Sequence, residues 1–78
     1  MQIEVRLYAT LRRHAPSAAG GVLALDVPEG CTAADAIAAV RVNAGEVHML
    51  MVNGVNSPPE RVLAEGDRLG LFPAVGGG

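Results

Sequence analysis

Glu65-Gly66-Asp67-Arg68-Leu69-Gly70-Leu71-Phe72-Pro73-Ala74-Val75-Gly76-Gly77-Gly78 is the last stretch of this 78-residue sequence. Glu65-Gly66-Asp67 is turn chemistry. Arg68 to Phe72 then alternates: Leu69 and Leu71 share one face, and Phe72 falls on the other. Pro73 restricts Phe72 to an extended conformation and has a fixed φ itself, so the tail starts out projecting from the strand.

Working back from that strand, Val47 to Val52 is another, apolar on both faces. Either Leu50 and Val52 or Met49 and Met51 point inward, because side chains alternate. Branched residues specify a core better than methionine does, which favours Leu50 and Val52 inside and Met49 and Met51 outside. Asn53-Gly54 follows, a two-residue hairpin signal, and Val55 and Asn56 begin the return. Ser57-Pro58-Pro59 breaks that return, and Glu60 to Ala64 reads as one helical turn.

Further upstream, Thr32-Ala33-Ala34-Asp35 has the form of a capped helix start. The helix is expected to run to Arg41 or Val42, with Ala33, Ala36, Ile37 and Val40 on one stripe and Gly45 in the C-cap region. At the N-terminus Ile3, Val5, Leu7 and Ala9 alternate with Glu4, Arg6, Tyr8 and Thr10. Leu11 to His14 reads as one helical turn. Pro16, Ser17, Gly20 and Gly21 mark a loop, and Val22 to Val27 returns as a strand with Leu23, Leu25 and Val27 inward. One helix with four or five strands in a mixed sheet is an α+β fold, with the helix on one face. Residues 1–78 are expected to form one domain, with 73–78 a flexible tail.

The face away from the helix would carry Tyr8, Met49, Met51 and Phe72, which include both aromatics and two of the three methionines. An apolar patch with adaptable methionines marks a partner surface.

Composition narrows the function. Lys+Arg 6 against Asp+Glu 8 gives 6 − 8 = −2, with 50% hydrophobic residues. Nucleic acid needs a basic patch and is not expected as a partner. All six cations are arginine, which excludes lysine-based Schiff-base chemistry and a P-loop lysine. No apolar run approaches the ~20 residues of a membrane span, and no signal peptide is evident, so a cytoplasmic location is expected. Cys31 precedes the helix, where a thiol pKa falls, but no histidine neighbours it in sequence to act as a base; it reads as a small apolar filler. His14 and His48 stand alone, and no metal site is expected. Asp26, Glu29 and Asp35 read as surface and capping residues. No catalytic constellation emerges, and the chain is not expected to catalyse by itself.

The tail carries the chemistry. Glycines permit close backbone approach in a narrow channel, so Gly76 and Gly77 would present the carboxylate of Gly78 to another protein's active site. A free carboxylate is unreactive, and acyl-adenylation by ATP would give it a good leaving group.

These features together resemble the MoaD/ThiS family of ubiquitin-like β-grasp sulfur carriers over the whole length. The likeness rests on Ile3 to Ala9 with Leu11-Arg12, Pro28-Glu29-Gly30, Val52-Asn53-Gly54, Leu63 to Gly66-Asp67, and the stretch from Leu71 to Gly78. The Phe-Pro-x-Val-x-Gly-Gly ending is most like the small subunit of molybdopterin synthase. Gly76, however, stands where that family commonly has a side chain.

The resemblance implies that an E1-like adenylating enzyme activates Gly78 with ATP. A sulfur donor then converts it to a thiocarboxylate. The tail, Gly76 to Gly78, inserts into the large subunit of molybdopterin synthase, or another acceptor enzyme, and gives sulfur to a pterin precursor. The carrier itself binds no cofactor, and its open sheet face, here Tyr8, Met49, Met51 and Phe72, contacts the partners. Relatives serve thiamine, cysteine, tungsten-pterin or RNA thiolation. A protein modifier of ubiquitin type begins with the same adenylate, and a β-grasp interaction domain with an inert tail is a third reading.

Overall fold

A computed structural model of the chain describes residues 1–14 and 19–74. Five strands form one sheet: β1 (Gln2–Leu7), β2 (Val22–Asp26), β3 (Val47–Val52), β4 (Val55–Asn56) and β5 (Arg68–Pro73). Their order is β2-β1-β5-β3-β4. β1 and β5 are parallel, and the other pairs are antiparallel. One helix, α1 (Ala33–Ala39), packs on one face.

The alternation in β1 and β5 sets the core. Ile3, Val5 and Leu7 from β1 and Leu69 and Leu71 from β5 are buried, as are Leu50 and Val52 of β3. Ala33, Ala36 and Ile37 close the core from the helix side, joined by Leu11, Val42 and Leu63. Burying each of these large side chains contributes about 1.5–3 kcal/mol. Small alanines on α1 let the helix approach the sheet closely.

The helix start is as read from sequence. Thr32 Oγ1 accepts from Asp35 N–H at 3.2 Å, and Asp35 Oδ2 accepts from Thr32 N–H at 3.1 Å. The end is different. α1 stops at Ala39, two residues short of Arg41, and Gly45 takes no part. Arg41 adopts φ 62, its N–H bonds to Ala38 O, and Val42 N–H bonds to Ile37 O. That is a Schellman closure with arginine in the position usually held by glycine. Val42 and Ile37 are both buried, and this apolar clasp compensates for the strained arginine.

Two further expectations change. Ala9 is exposed with φ 51, because the chain leaves β1 after Leu7 into a 3₁₀ segment, Ala9–His14, that delivers Leu11 to the core instead. Glu60 to Ala64 is not helical: Val62 bridges Thr32, and Leu63 N–H bonds to Cys31 O, so the segment is pinned in extended form beside the helix start. In β3 the pairing steps from Val47↔Pro73 to Met49↔Phe72, leaving His48 as a bulge. Unbroken alternation would send His48 inward with Leu50; the bulge puts it in solvent and packs Val47 against the core.

The hairpin at Asn53-Gly54 has φ 53 and 82 at its two central residues, the signs of a type I′ turn. Asn53 also ties this turn to β5. Its N–H donates to Arg68 O at 2.8 Å, and its Oδ1 accepts from Arg68 N–H at 2.9 Å.

Candidate functional site

The face of the sheet opposite α1 is built from the residues that alternate with the core. Register sets its rows. Arg6 pairs with Gly70, which pairs with Met51; one step along, Phe72 pairs with Met49. Tyr8 follows β1 and is held there by its N–H, which donates to Leu71 O at 3.1 Å. Its ring stacks on Phe72 with centroids 4.3 Å apart and planes 5° from parallel. Tyr8, Met49, Met51 and Phe72 are thus brought together on one face, as expected. Each is half-buried.

Sequence reasoning did not single out Gly70, Arg6 or Arg68. All three lie on this face, and a glycine inside a strand was the available signal. With Tyr8, Met51, Phe72 and the Asn53-Gly54 turn they surround a hollow of about 250 Å³. Arg6 Nε donates to Glu4 Oε2 at 2.6 Å. Hydrogen bonding to Glu4 first, and to Tyr8 second, pushes the pKa of the Arg6 guanidinium above its ordinary value.

β5 leads straight out of this face. Phe72 lies in the patch, Pro73 is the last strand residue, and Ala74 is exposed. Gly76, Gly77 and Gly78 lie outside the described residues.

The remaining titratable groups offer little chemistry. Cys31 is buried, and its Sγ donates to Thr32 O at 3.3 Å. Burial, with a smaller contribution from Asp35, pushes its thiol pKa up, the opposite of activation. His48 is exposed, and among the described residues no three His, Cys, Asp or Glu gather as metal ligands. Among the same residues no helix is long and apolar enough to cross a membrane.

A mixed β-grasp sheet with one helix, a patterned open face and a glycine-rich tail after β5 can now be set beside known proteins. The ThiS family profile matches residues 5–78. The chain belongs to the ThiS family. No curated protein sequence matches it significantly. Among solved structures it is similar to SAMP1 from Haloferax volcanii, with 26% identity, all of both chains covered and a TM-score of 0.77. A second structure, of the H. volcanii small archaeal modifier protein 1, aligns at 24% identity over 95% of this chain and 98% of the other, with a TM-score of 0.77. A Pyrococcus furiosus protein named for a molybdopterin converting factor, subunit 1, aligns at 24% identity over 95% and 98%, with a TM-score of 0.74.

The fold is therefore the ubiquitin-like β-grasp. ThiS/MoaD-type proteins are small carriers or modifiers, generally non-catalytic, that work with activating enzymes and acceptor partners.

Proposed function

We propose that this chain is a sulfur carrier whose reacting group is the carboxylate of Gly78. An E1-like enzyme joins that carboxylate to the α-phosphate of ATP, releasing pyrophosphate. Sulfur at the sulfide level from a donor then displaces AMP and leaves a thiocarboxylate. The acceptor is a pterin precursor, which takes the sulfur in molybdopterin formation while Gly76, Gly77 and Gly78 lie in the large subunit's channel. The chain supplies no catalytic side chain and binds no cofactor; ATP belongs to the activating partner.

The observation that carries this reading is the junction at Phe72-Pro73. The patch of Tyr8, Met49, Met51 and Phe72 reaches the end of β5, so the last described residues, Pro73 and Ala74, leave the sheet beside it, four positions before Gly78 in sequence (78 − 74). The ending Phe72-Pro73-Ala74-Val75-Gly76-Gly77-Gly78 supports the pterin acceptor over the thiamine, cysteine, tungsten-pterin and RNA-thiolation pathways. Residues added after Gly78 displace the reacting carboxylate. They should abolish sulfur transfer without changing the unfolding midpoint, and normal transfer by such a variant would refute the carrier.

A second reading is a ubiquitin-type modifier joined through Gly78 to lysines on target proteins. It is supported by the full-length likeness to a protein named as a small archaeal modifier. Higher-mass covalent adducts in cell extract would put it first.

A further inference from the structure

The open face contains one position that backbone geometry does not account for. Gly70 lies mid-strand, between Arg6 of β1 and Met51 of β3, and is not among the residues with positive φ. A glycine there weakens a strand, and any L-residue could adopt its conformation. What it provides is space. A Cβ at Gly70 would sit 3.3 Å from Tyr8 Cε2 and 3.4 Å from Phe72 Cε1, tight against the stacked rings. The missing side chain seats the stack and leaves the floor of the hollow bare.

The chain carries −2 overall, yet the charged residues lining the hollow are Arg6 and Arg68, with no carboxylate. The nearby acids are committed. Glu4, the cross-strand partner of Arg68 on β1, is held by Arg6 at 2.6 Å; Glu65, which lines an adjoining hollow with Arg68, accepts from Gln2 N–H at 3.1 Å; and Asp67 accepts from Asn53 Nδ2 at 2.9 Å and from Ala64 N–H at 2.8 Å. Among the described residues no carboxylate lies within ion-pairing distance of the Arg68 guanidinium. Asn53 holds the Arg68 backbone on both its N–H and its C=O, so the strand position from which this exposed arginine projects is fixed.

We propose that the hollow is a socket for an Asp or Glu side chain of the activating enzyme, its stem lying over Gly70 and its carboxylate bonded to Arg68. This rests on the carrier reading and adds to it the chemistry by which the partner is recognised. The aromatic stack and Met51 supply apolar walls, and arginine supplies a fork that matches a carboxylate. Charge thereby sets register on a face whose apolar contacts alone would tolerate sliding.

The test is titration calorimetry of the full chain with the E1-like adenylating enzyme purified from the source cell, alongside ATP–pyrophosphate exchange. Arg68→Glu should weaken binding by at least about tenfold, and Arg68→Gln by less, with both variants keeping the wild-type unfolding midpoint. Arg41→Glu, on the exposed Arg41 at the helix end, makes the same change in net charge and should alter affinity by less than about twofold. Gly70→Leu should block binding by filling the floor. If Arg68→Glu and Arg68→Gln both bind like Arg41→Glu while exchange proceeds normally, the socket is wrong and the carrier reading stands. If the wild-type chain neither binds nor supports exchange, the carrier reading fails and the socket with it.

Discussion

Tyr8 and Phe72, 64 positions apart in sequence (72 − 8), stack ring on ring at 4.3 Å and 5° on the face of the sheet that the helix leaves open. Parallel pairing of β1 with β5 makes this possible, since it carries the end of β1 and the end of β5 to the same edge of the molecule. Such a pair is worth about 0.5–1.5 kcal/mol beyond the area it buries. It also fixes the surface from which Pro73 and the tail depart.

Adjacent residues of β5 should respond in opposite ways. Leu69→Ala and Leu71→Ala remove fully buried side chains and should each cost about 2–5 kcal/mol of stability in denaturant unfolding. Met51→Glu combined with Phe72→Glu should cost far less than either core truncation and yet abolish complex formation with the activating enzyme. Unfolding of that double variant would place the patch in the core instead.

The two ends of α1 make a second pair of expectations. Thr32→Ala loses one arm of the capping box and should destabilise the chain by about 1 kcal/mol. Arg41→Gly relieves a left-handed arginine at φ 62 and should stabilise it by up to about 1 kcal/mol. Chemical denaturation of both, at neutral pH, checks the signs.

Cys31 sets a pH dependence. Its thiol pKa is raised in the folded chain by burial first and by Asp35 second. The folded state therefore prefers the neutral thiol. The stability this gives is fully present below the unfolded thiol value of about 8.5 and is lost as pH rises through the folded value. Unfolding free energy should fall across that alkaline window, and fall less in Cys31→Ala. Iodoacetamide should modify the native chain at least about tenfold more slowly than the denatured one.

Much of this was legible because local and tertiary preferences agree. Thr32 and Asp35 cap as their spacing implies, Asn53-Gly54 turns as its φ preferences require, and Leu50 and Val52 outcompete Met49 and Met51 for the core. The departures arise where tertiary contacts override local signals. Arg41 ends the helix without a glycine because Val42 clasps Ile37. Val62 is held extended by its bridge to Thr32, which no local pattern reports. His48 is lifted out of register by a bulge that also brings Val47 onto the core. On the candidate face the four apolar residues could be read from alternation, whereas the hollow over Gly70 could not. It depends on which residues of β1 and β3 lie across from β5, and only the register supplies that.

The central claim is chemical and concerns Gly78. Its most direct test is the intact mass of the chain with its native C-terminus, isolated from the source cell and again after incubation with the E1-like enzyme, ATP and a sulfur donor. A mass gain equal to the exchange of one oxygen for sulfur, localised to Gly78 by fragmentation, is the predicted result. An unchanged mass with an activating system that demonstrably forms the adenylate would contradict the carrier.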